Sequence, residues 1–447
     1  MFDLLKGVAD LKNFSTSELS YEEKLRKSCA LFGFHPTDYQ WKLLADRSKR
    51  IVVKWARQSG KTTTLAMKAI LFALMNPKTL VLIVSPSLRQ SMIMRDRVGD
   101  ILSSLPAIFK QMLITKMQRT VITFRNGSRI IALPNSPPLL RGYTAHMIIA
   151  DEAAFFRDDE MVFYSVMMPM MATTNGTLIV SSTPWGKNSV FYKFCLSPEF
   201  SKHENTWRDA VQAGLTTESF IEEMRNSLPQ ERFLREFEAQ FVEDVDSWLP
   251  QDLITRCVDG NLEYLEFGVE AKGEFFAGVD FGKHQDHSVV TVLERKEKTF
   301  KVVHVKRFPL ETPYASVIGY IKALCDKWRS IYRISADITG VGEYIVEDMM
   351  RGGIGNVTGV NFTAPTKEAL ATMMKQEMVK GCLFFPYDRE LINELNIEKF
   401  EMMKTGGIKF SHPEGSHDDM FWSLALAVHA ARGEEKPTWV VTGATPK

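Results

Sequence analysis

Residues 51–75 read IVVKWARQSGKTTTLAMKAILFALM. An apolar, β-branched run ends in Arg57-Gln58-Ser59-Gly60-Lys61-Thr62 and passes directly into a helical pattern. A phosphate-binding loop needs this setting. Backbone N–H groups at a helix start wrap the phosphates, Lys61 reaches the outer phosphoryl oxygens, and the Thr62 hydroxyl is placed to ligate Mg²⁺. The first glycine of the usual loop is replaced by Trp55, so the motif needs a companion. It has one downstream. Met147-Ile148-Ile149-Ala150-Asp151-Glu152 is an apolar strand ending in two carboxylates. Asp151 is suited to hold Mg²⁺ through water and Glu152 to polarise an attacking water. The two motifs in this order, with strands between them, make ATP hydrolysis the reading.

The surrounding pattern predicts an α/β fold. After residues 18–47, which read as helical, short β-rich runs alternate with helical stretches: IVVKW, TLVLIVS, TVITF, RIIAL, HMIIA and TLIVSST are the expected strands. Such alternation predicts a mostly parallel sheet with helices on both faces. A second alternating block begins near 274, with EFFAGVDFG, SVVTVLERK, FKVVHVKRF and RISADI as strands. The expected division is 1–250 for a first domain with a helical N-terminal extension, 251–270 for a linker, 271–435 for a second domain and 436–447 for a loose tail.

Bulk composition narrows the class without choosing the function. The chain has 447 residues, enough for two cores. Its 45% hydrophobic and 24% charged content is that of an ordinary globular protein. Five scattered cysteines without a CxxC pair argue against a disulfide framework or zinc site. The start, MFDLLKGVADLKN, lacks a signal-peptide pattern, and no long apolar run follows; a soluble intracellular protein without membrane contact is expected. A net charge of +1 gives no hint of nucleic acid, so any DNA contact must come from local patches.

The second block offers acids where strands end. Asp280 closes FFAGVDFG, Asp286 follows in GKHQDHS, Asp337 closes RISADITG, and Asp418-Asp419 open the apolar helix SHDDMFWSLALAVHAA. Each alone fits a turn or helix cap. Together, carboxylates on two adjacent strands and a helix start resemble a ribonuclease H-like nuclease. Hard oxygen ligands grouped in this way suit Mg²⁺ or Mn²⁺ and two-ion phosphodiester cleavage.

With both motif sets in hand, the chain resembles the large terminase subunits of tailed bacteriophages, over roughly residues 30–430. Their ATPase loop lacks the first glycine and reads like residues 57–62 here. The resemblance implies a P-loop ATPase domain of the additional-strand type followed by a ribonuclease H-like nuclease domain. It puts Gln40, in HPTDYQWKLL, beside the adenine, and Ser181-Ser182-Thr183-Pro184 in a coupling motif. It makes Arg57 a phosphate contact within its own subunit and Arg141, in LLRGYTAH, a finger for a neighbouring subunit's ATP; which is the main finger stays open. Asp280 and Asp337 match the first and middle acidic positions, the Asp418-Asp419 pair the C-terminal one, and Asp286 a further one. Either of Asp418 and Asp419 can supply the direct ligand. Lys367 fits a phosphate contact and a solvated helix end equally, and His417 fits a structural histidine better than a group orienting an aspartate.

The resemblance further implies ATP and Mg²⁺ as cofactors, with Mn²⁺ an option for the nuclease. It implies double-stranded DNA, a portal protein, a small terminase subunit and a procapsid as partners, a ring, commonly pentameric, during packaging, and residence in the host cytoplasm with transient docking on the portal. Two rivals stand beside it. A cellular helicase-nuclease or restriction-type translocase would need a second motor domain, and none is apparent. A non-catalytic capsid-associated nucleotide-binding protein would not need Lys61, Asp151 and Glu152 together.

Overall fold

The computed structural model describes residues 20–432 except 243–246, 283, 285, 329–330, 341, 343, 404–406 and 414–415. The expected tail at 436–447 and the first part of the N-terminal extension lie outside the described residues. The chain divides into two compact units, Met1–Glu243 and Asp244–Lys447.

In the first unit the strands are β1 (Arg50–Trp55), β2 (Leu80–Ser85), β3 (Ile114–Met117), β4 (Val121–Phe124), β5 (Arg129–Pro134), β6 (Met147–Asp151), β7 (Thr177–Ser182) and β8 (Ser201–Asn205). They form one sheet in the order β3-β4-β5-β2-β6-β7-β1-β8 among the described residues. From β5 to β8 every neighbouring pair is parallel, while β3 and β4 add antiparallel. β7 inserts between the loop-bearing β1 and the acidic β6, and this is the additional strand. β2, β6 and β7 are buried along their whole lengths, as a parallel sheet covered on both faces requires. Their apolar runs therefore declare them in sequence. β8 (SKHEN) is polar because it forms an edge, where alternate residues face water and charge discourages further pairing; the sequence reading missed it. A π-helical turn at Met161–Met167 was also unforeseen.

The second unit has β9 (Glu274–Asp280), β10 (Val289–Lys296), β11 (Thr299–Arg307), β12 (Ile331–Asp337), β13 (Val357–Val360) and β14 (Leu383–Phe384), ordered β13-β12-β9-β10-β11-β14. β9 runs antiparallel to β10 and parallel to β12, giving the mixed sheet of a ribonuclease H-like domain. The apolar helix Asp419–Arg432 lies directly on β9. Gly278 permits that approach: a Cβ there would stand 2.0 Å from the Ser423 carbonyl oxygen and 2.3 Å from the Ala427 nitrogen. The contact brings the helix's first residue, Asp419, to the strand end that carries Asp280. A hairpin of β15 (Lys399–Met402) and β16 (Ile408–Ser411) completes the described strands.

The stretch 251–270, expected as a linker, is packed together with the residues just before it. Trp248 is buried with its ring edge-on to Phe400 and Phe410, and its indole N–H donates to the Ala371 carbonyl at 3.2 Å. The helix Gln251–Cys257 buries Leu253, Ile254 and Cys257, Val258 bridges to Phe385, and the Leu265 N–H donates to Val303 at 2.7 Å. Residues 247–270 thus belong to the second unit. Their apolar positions are too sparse to form a strand or long helix pattern, which is why they read as a connector.

Candidate functional site

In the first unit the loop residues turn sharply between β1 and the helix Lys61–Met75. Gln58 and Gly60 have φ of +60° and +77°, and the Gly60 carbonyl receives the Thr64 N–H at 3.0 Å. Ser59 is buried, with its hydroxyl donating to Ala56 at 2.6 Å. Lys61 and Thr62 open the helix. The Lys61 ammonium lies 3.5 Å from Asp151 Oδ1 and 3.4 Å from Glu152 Oε1, so the two motifs meet. Asp151 and Glu152 are nearly solvent-free. Burial raises the Asp151 pKa, with the Glu152 charge adding to it and Lys61 opposing it. The serines of β7 tie down both acids: Ser181 donates to Asp151 at 3.1 Å and Ser182 to Glu152 at 3.3 Å. Glu152 itself sits in the left-handed region at φ +52°, a strained setting for a side chain that a functional site can maintain.

Gln40 lies on the helix Asp38–Ala45 and is buried against the loop: its amide nitrogen is 2.5 Å from where a Cβ on Gly60 would stand. Tyr39, beside it, donates to the Ser59 carbonyl at 2.9 Å. Arg57 is half-exposed and paired with the buried carboxylate of Glu236 at 2.7 Å. The Arg57 N–H also donates to the Glu236 carbonyl at 2.7 Å. The sequence reading missed Glu236, whose helix, QERFLRE, looks like an ordinary charged surface. Arg141 is exposed just after the turn of helix Pro137–Leu140.

In the second unit the predicted acids gather. β9 and β12 pair in register up to Ala336 with Val279, so Asp337 and Asp280 end adjacent parallel strands. Burial raises the Asp280 pKa well above the usual carboxylate range, and the charges of Asp337, Asp419 and Asp418 push it further, opposed by Lys367. Burial likewise raises Asp337 and carries Asp419 to about 7. Three of the acids are tied to local donors: Asp337 to the Thr339 N–H (2.8 Å) and hydroxyl (2.6 Å), Asp419 to the His287 N–H (3.0 Å), Asp418 to the Trp422 indole (2.6 Å). Among the described residues no three acidic, histidine or cysteine side chains close on one point as a finished metal cage. Asp286 is exposed at the rim. His417 Nδ1 stands 3.8 Å from Asp419. Lys367 lies over the Trp422 ring at 4.4 Å.

Two further acids here escaped the sequence reading. Glu394 accepts the Met420 N–H at 2.7 Å and pairs with Arg307 at 3.3 Å, and burial raises it to about 8. Glu398 is raised to about 9 by burial and by the Asp418 charge. In LINELNIEKFE both look like solvent-facing charges, yet every residue from Leu391 to Ile397 is buried. The excess of carboxylates over cations fits a group that binds divalent cations, because only added positive charge relieves it.

The comparisons with known proteins match this arrangement. Residues 54–256 match the family described as terminase large subunit, T4likevirus-type, N-terminal, and residues 277–431 match the terminase RNaseH-like domain. The chain is 25% identical over 453 aligned positions to the terminase large subunits of Thermus virus P23-45 and Thermus phage G20c, covering 91% of this chain and 89% of each relative. Among solved structures, the ATPase domain of the Thermus phage P74-26 large terminase resembles 48% of this chain and 98% of its own at 22% identity, with a TM-score of 0.42. Two terminase models placed in order over the two units, and relatives of this name along nearly the full length, make the chain a member of the terminase large subunit family.

Proposed function

We propose that this chain converts ATP hydrolysis into movement of double-stranded DNA into a viral procapsid, and cuts concatemeric DNA with a divalent-metal nuclease in its second unit. The observation that carries this reading is the meeting of Lys61 with Asp151 and Glu152. Loop and acidic strand, far apart in sequence, form one site in a chain whose other unit collects Asp280, Asp337, Asp418 and Asp419.

In the ATPase, Gln40 lies beside the adenine, and the backbone of Gln58, Ser59 and Gly60 surrounds the phosphates. Lys61 exchanges its two carboxylates for phosphoryl oxygens. Thr62 and Asp151 would hold Mg²⁺, which when bound offsets charge on the phosphates. Glu152, aimed by Ser182, polarises the attacking water. Arg57 serves its own subunit, since Glu236 holds it at the loop. The exposed Arg141 reaches a neighbour's ATP in a ring, probed by mixing Arg141→Ala with Lys61→Ala chains: restored ATPase is expected, and no rescue in co-assembled mixtures removes the trans role.

In the nuclease, Asp280, Asp337 and Asp419 would hold Mg²⁺ or Mn²⁺. Asp418, held by the Trp422 indole, is the less direct of the pair, and Asp286 is an outer contributor. Two such ions supply Lewis-acid charge for the water and the leaving oxygen. Lys367 contacts a DNA phosphate near the acids. The partners are a portal protein, a small terminase subunit and a procapsid; the assembly is a ring, commonly of five, docked on the portal in the host cytoplasm. The test is ATP-dependent protection of DNA from nuclease by purified chain and procapsids. Protection lost in Glu152→Gln is expected; ATP-independent protection overturns the motor reading.

A further inference from the structure

A buried lysine in the first unit has no part in the roles above. Lys68 lies on the helix Lys61–Met75, seven residues beyond the loop lysine, roughly 10 Å along the same helix. Its side chain is 6% exposed. Its ammonium donates to the carbonyls of Leu43 (2.8 Å), Leu44 (3.3 Å) and Asp46 (2.8 Å). These are the orphaned carbonyls at the C-terminal end of the helix Asp38–Ala45, and three acceptors match the three protons of an ammonium.

The same short helix carries Tyr39 and Gln40 at its other end, against the loop. Asp46, just past its last residue, is fixed in turn: its carboxylate accepts from His203 on β8 at 2.8 Å and from the Ser48 N–H at 2.8 Å. The eight-residue helix is therefore gripped at one end by Lys68 and the Asp46–His203 pair, and at the other by Tyr39 on Ser59.

Burying an ammonium is costly, and here burial lowers its pKa to about 8. A Met or Leu would fill the volume without that cost, and apolar replacements of buried charges are often neutral or stabilising. What an apolar side chain cannot do is fix the helix axially and in rotation. Directed bonds to three carbonyls do so, and the cation also suits the negative end of the helix dipole.

We infer that Lys68 is a positioning residue for base selection: by clamping the C-terminal end of the Asp38–Ala45 helix, it sets Gln40 where an adenine can be recognised. The inference rests on the reading of Gln40 as the adenine contact. Lys68 touches no substrate and acts through Gln40. It ties base recognition to the helix that also carries the phosphate-binding lysine, so base and phosphates are read from one rigid element.

The experiment measures kcat and KM for ATP and GTP, with melting temperature, on the full chain and its Lys68→Met, Lys68→Arg and Gln40→Ala variants. Lys68→Met is expected to raise the KM for ATP roughly tenfold, the equivalent of one lost hydrogen-bonded contact. The kcat is expected to stay within about twofold and the KM for GTP to change little. The preference for ATP then falls as it does in Gln40→Ala, and the double variant is no worse than either single one, because both act on one contact. A lower melting temperature with the wild-type ATP-to-GTP ratio overturns the inference and leaves Lys68 a purely structural clamp. A wild-type ratio in Gln40→Ala instead shows that the adenine reading is wrong, and the inference falls with it. Should Lys68→Met fail to fold, Lys68→Arg decides. It keeps the charge but presents a planar fork that cannot reproduce three converging bonds, so a reduced ratio supports the inference and an unchanged ratio overturns it.

Discussion

The two acidic sites of this chain lie at strand ends of two sheets but manage charge in opposite ways. In the first unit Asp151 and Glu152 share one lysine, Lys61, 3.5 and 3.4 Å away, and two serine hydroxyls. The site carries its own counter-charge and must give it up when phosphates arrive. In the second unit Asp280 is surrounded by Asp337, Asp419 and Asp418, with Lys367 as the opposing charge on it. That site holds more carboxylates than Lys367 and Arg307 offset, and its raised pKa values show that it favours added positive charge. The difference teaches that an acidic strand end does not specify chemistry; the nearest cation does. A built-in lysine belongs to anionic substrates, and an uncompensated cluster to metal ions.

The most forceful way to break this comparison is to disable each site alone. Glu152→Gln is expected to lower ATP hydrolysis by ~100-fold or more while metal-dependent plasmid cleavage persists. Asp280→Asn is expected to do the reverse. Steady-state ATPase and gel assays of nicking check both, and equal damage to the two activities by either variant breaks the comparison.

A structural change should be as local as a chemical one. Gly278→Ala puts a methyl group within 2.0–2.3 Å of the backbone of the helix Asp419–Arg432, where no flexible side chain can yield. It is expected to destabilise the second unit by about 3 kcal/mol or more, and to lower metal affinity by displacing Asp419. ATP hydrolysis should survive in whatever folds. A melt unchanged from wild type contradicts the packing argument.

The smallest effect sharpens the first site. Ser182→Ala removes the hydroxyl that aims Glu152. One such bond is worth about 0.5–1.5 kcal/mol, so kcat is expected to fall roughly 3–10-fold with KM nearly unchanged. An altered KM with an intact kcat would mean that Ser182 serves binding and not the water.

What was legible in the sequence follows from the same physics. Buried parallel strands must be apolar from end to end, so IVVKW, TLVLIVS, MIIAD and TLIVSS were readable, and their ends pointed to Lys61, Asp151 and Glu152. Asp280 and Asp337 were readable for the same reason. The parts that escaped depend on partners remote in sequence. Glu236 is marked out only by its ion pair with Arg57, 179 positions away. Glu394 and Glu398 look like surface charges until the helix Asp419–Arg432 and its neighbours cover them. Edge strand β8 carries polar residues because it faces water, and residues 247–270 lack periodicity because Trp248 and a few apolar side chains do the packing. Nothing in the sequence pattern singles out Lys68, and its three carbonyl partners are what mark it out.

The difference in charge compensation is tested most directly by calorimetry of the nucleotide-free full chain, with and without Mg²⁺ or Mn²⁺, for wild type and Asp280→Asn. The account predicts that metal at ~100 times its dissociation constant stabilises the wild-type second unit by about 2.7 kcal/mol. It predicts that Asp280→Asn melts higher than wild type without metal, because the cost of burying that carboxylate among other acids is gone, and that it loses the response to metal. The first unit, whose two carboxylates share Lys61, should melt at the same temperature throughout. A metal response that persists in Asp280→Asn, or a metal-free melt lowered by the substitution, would contradict the account.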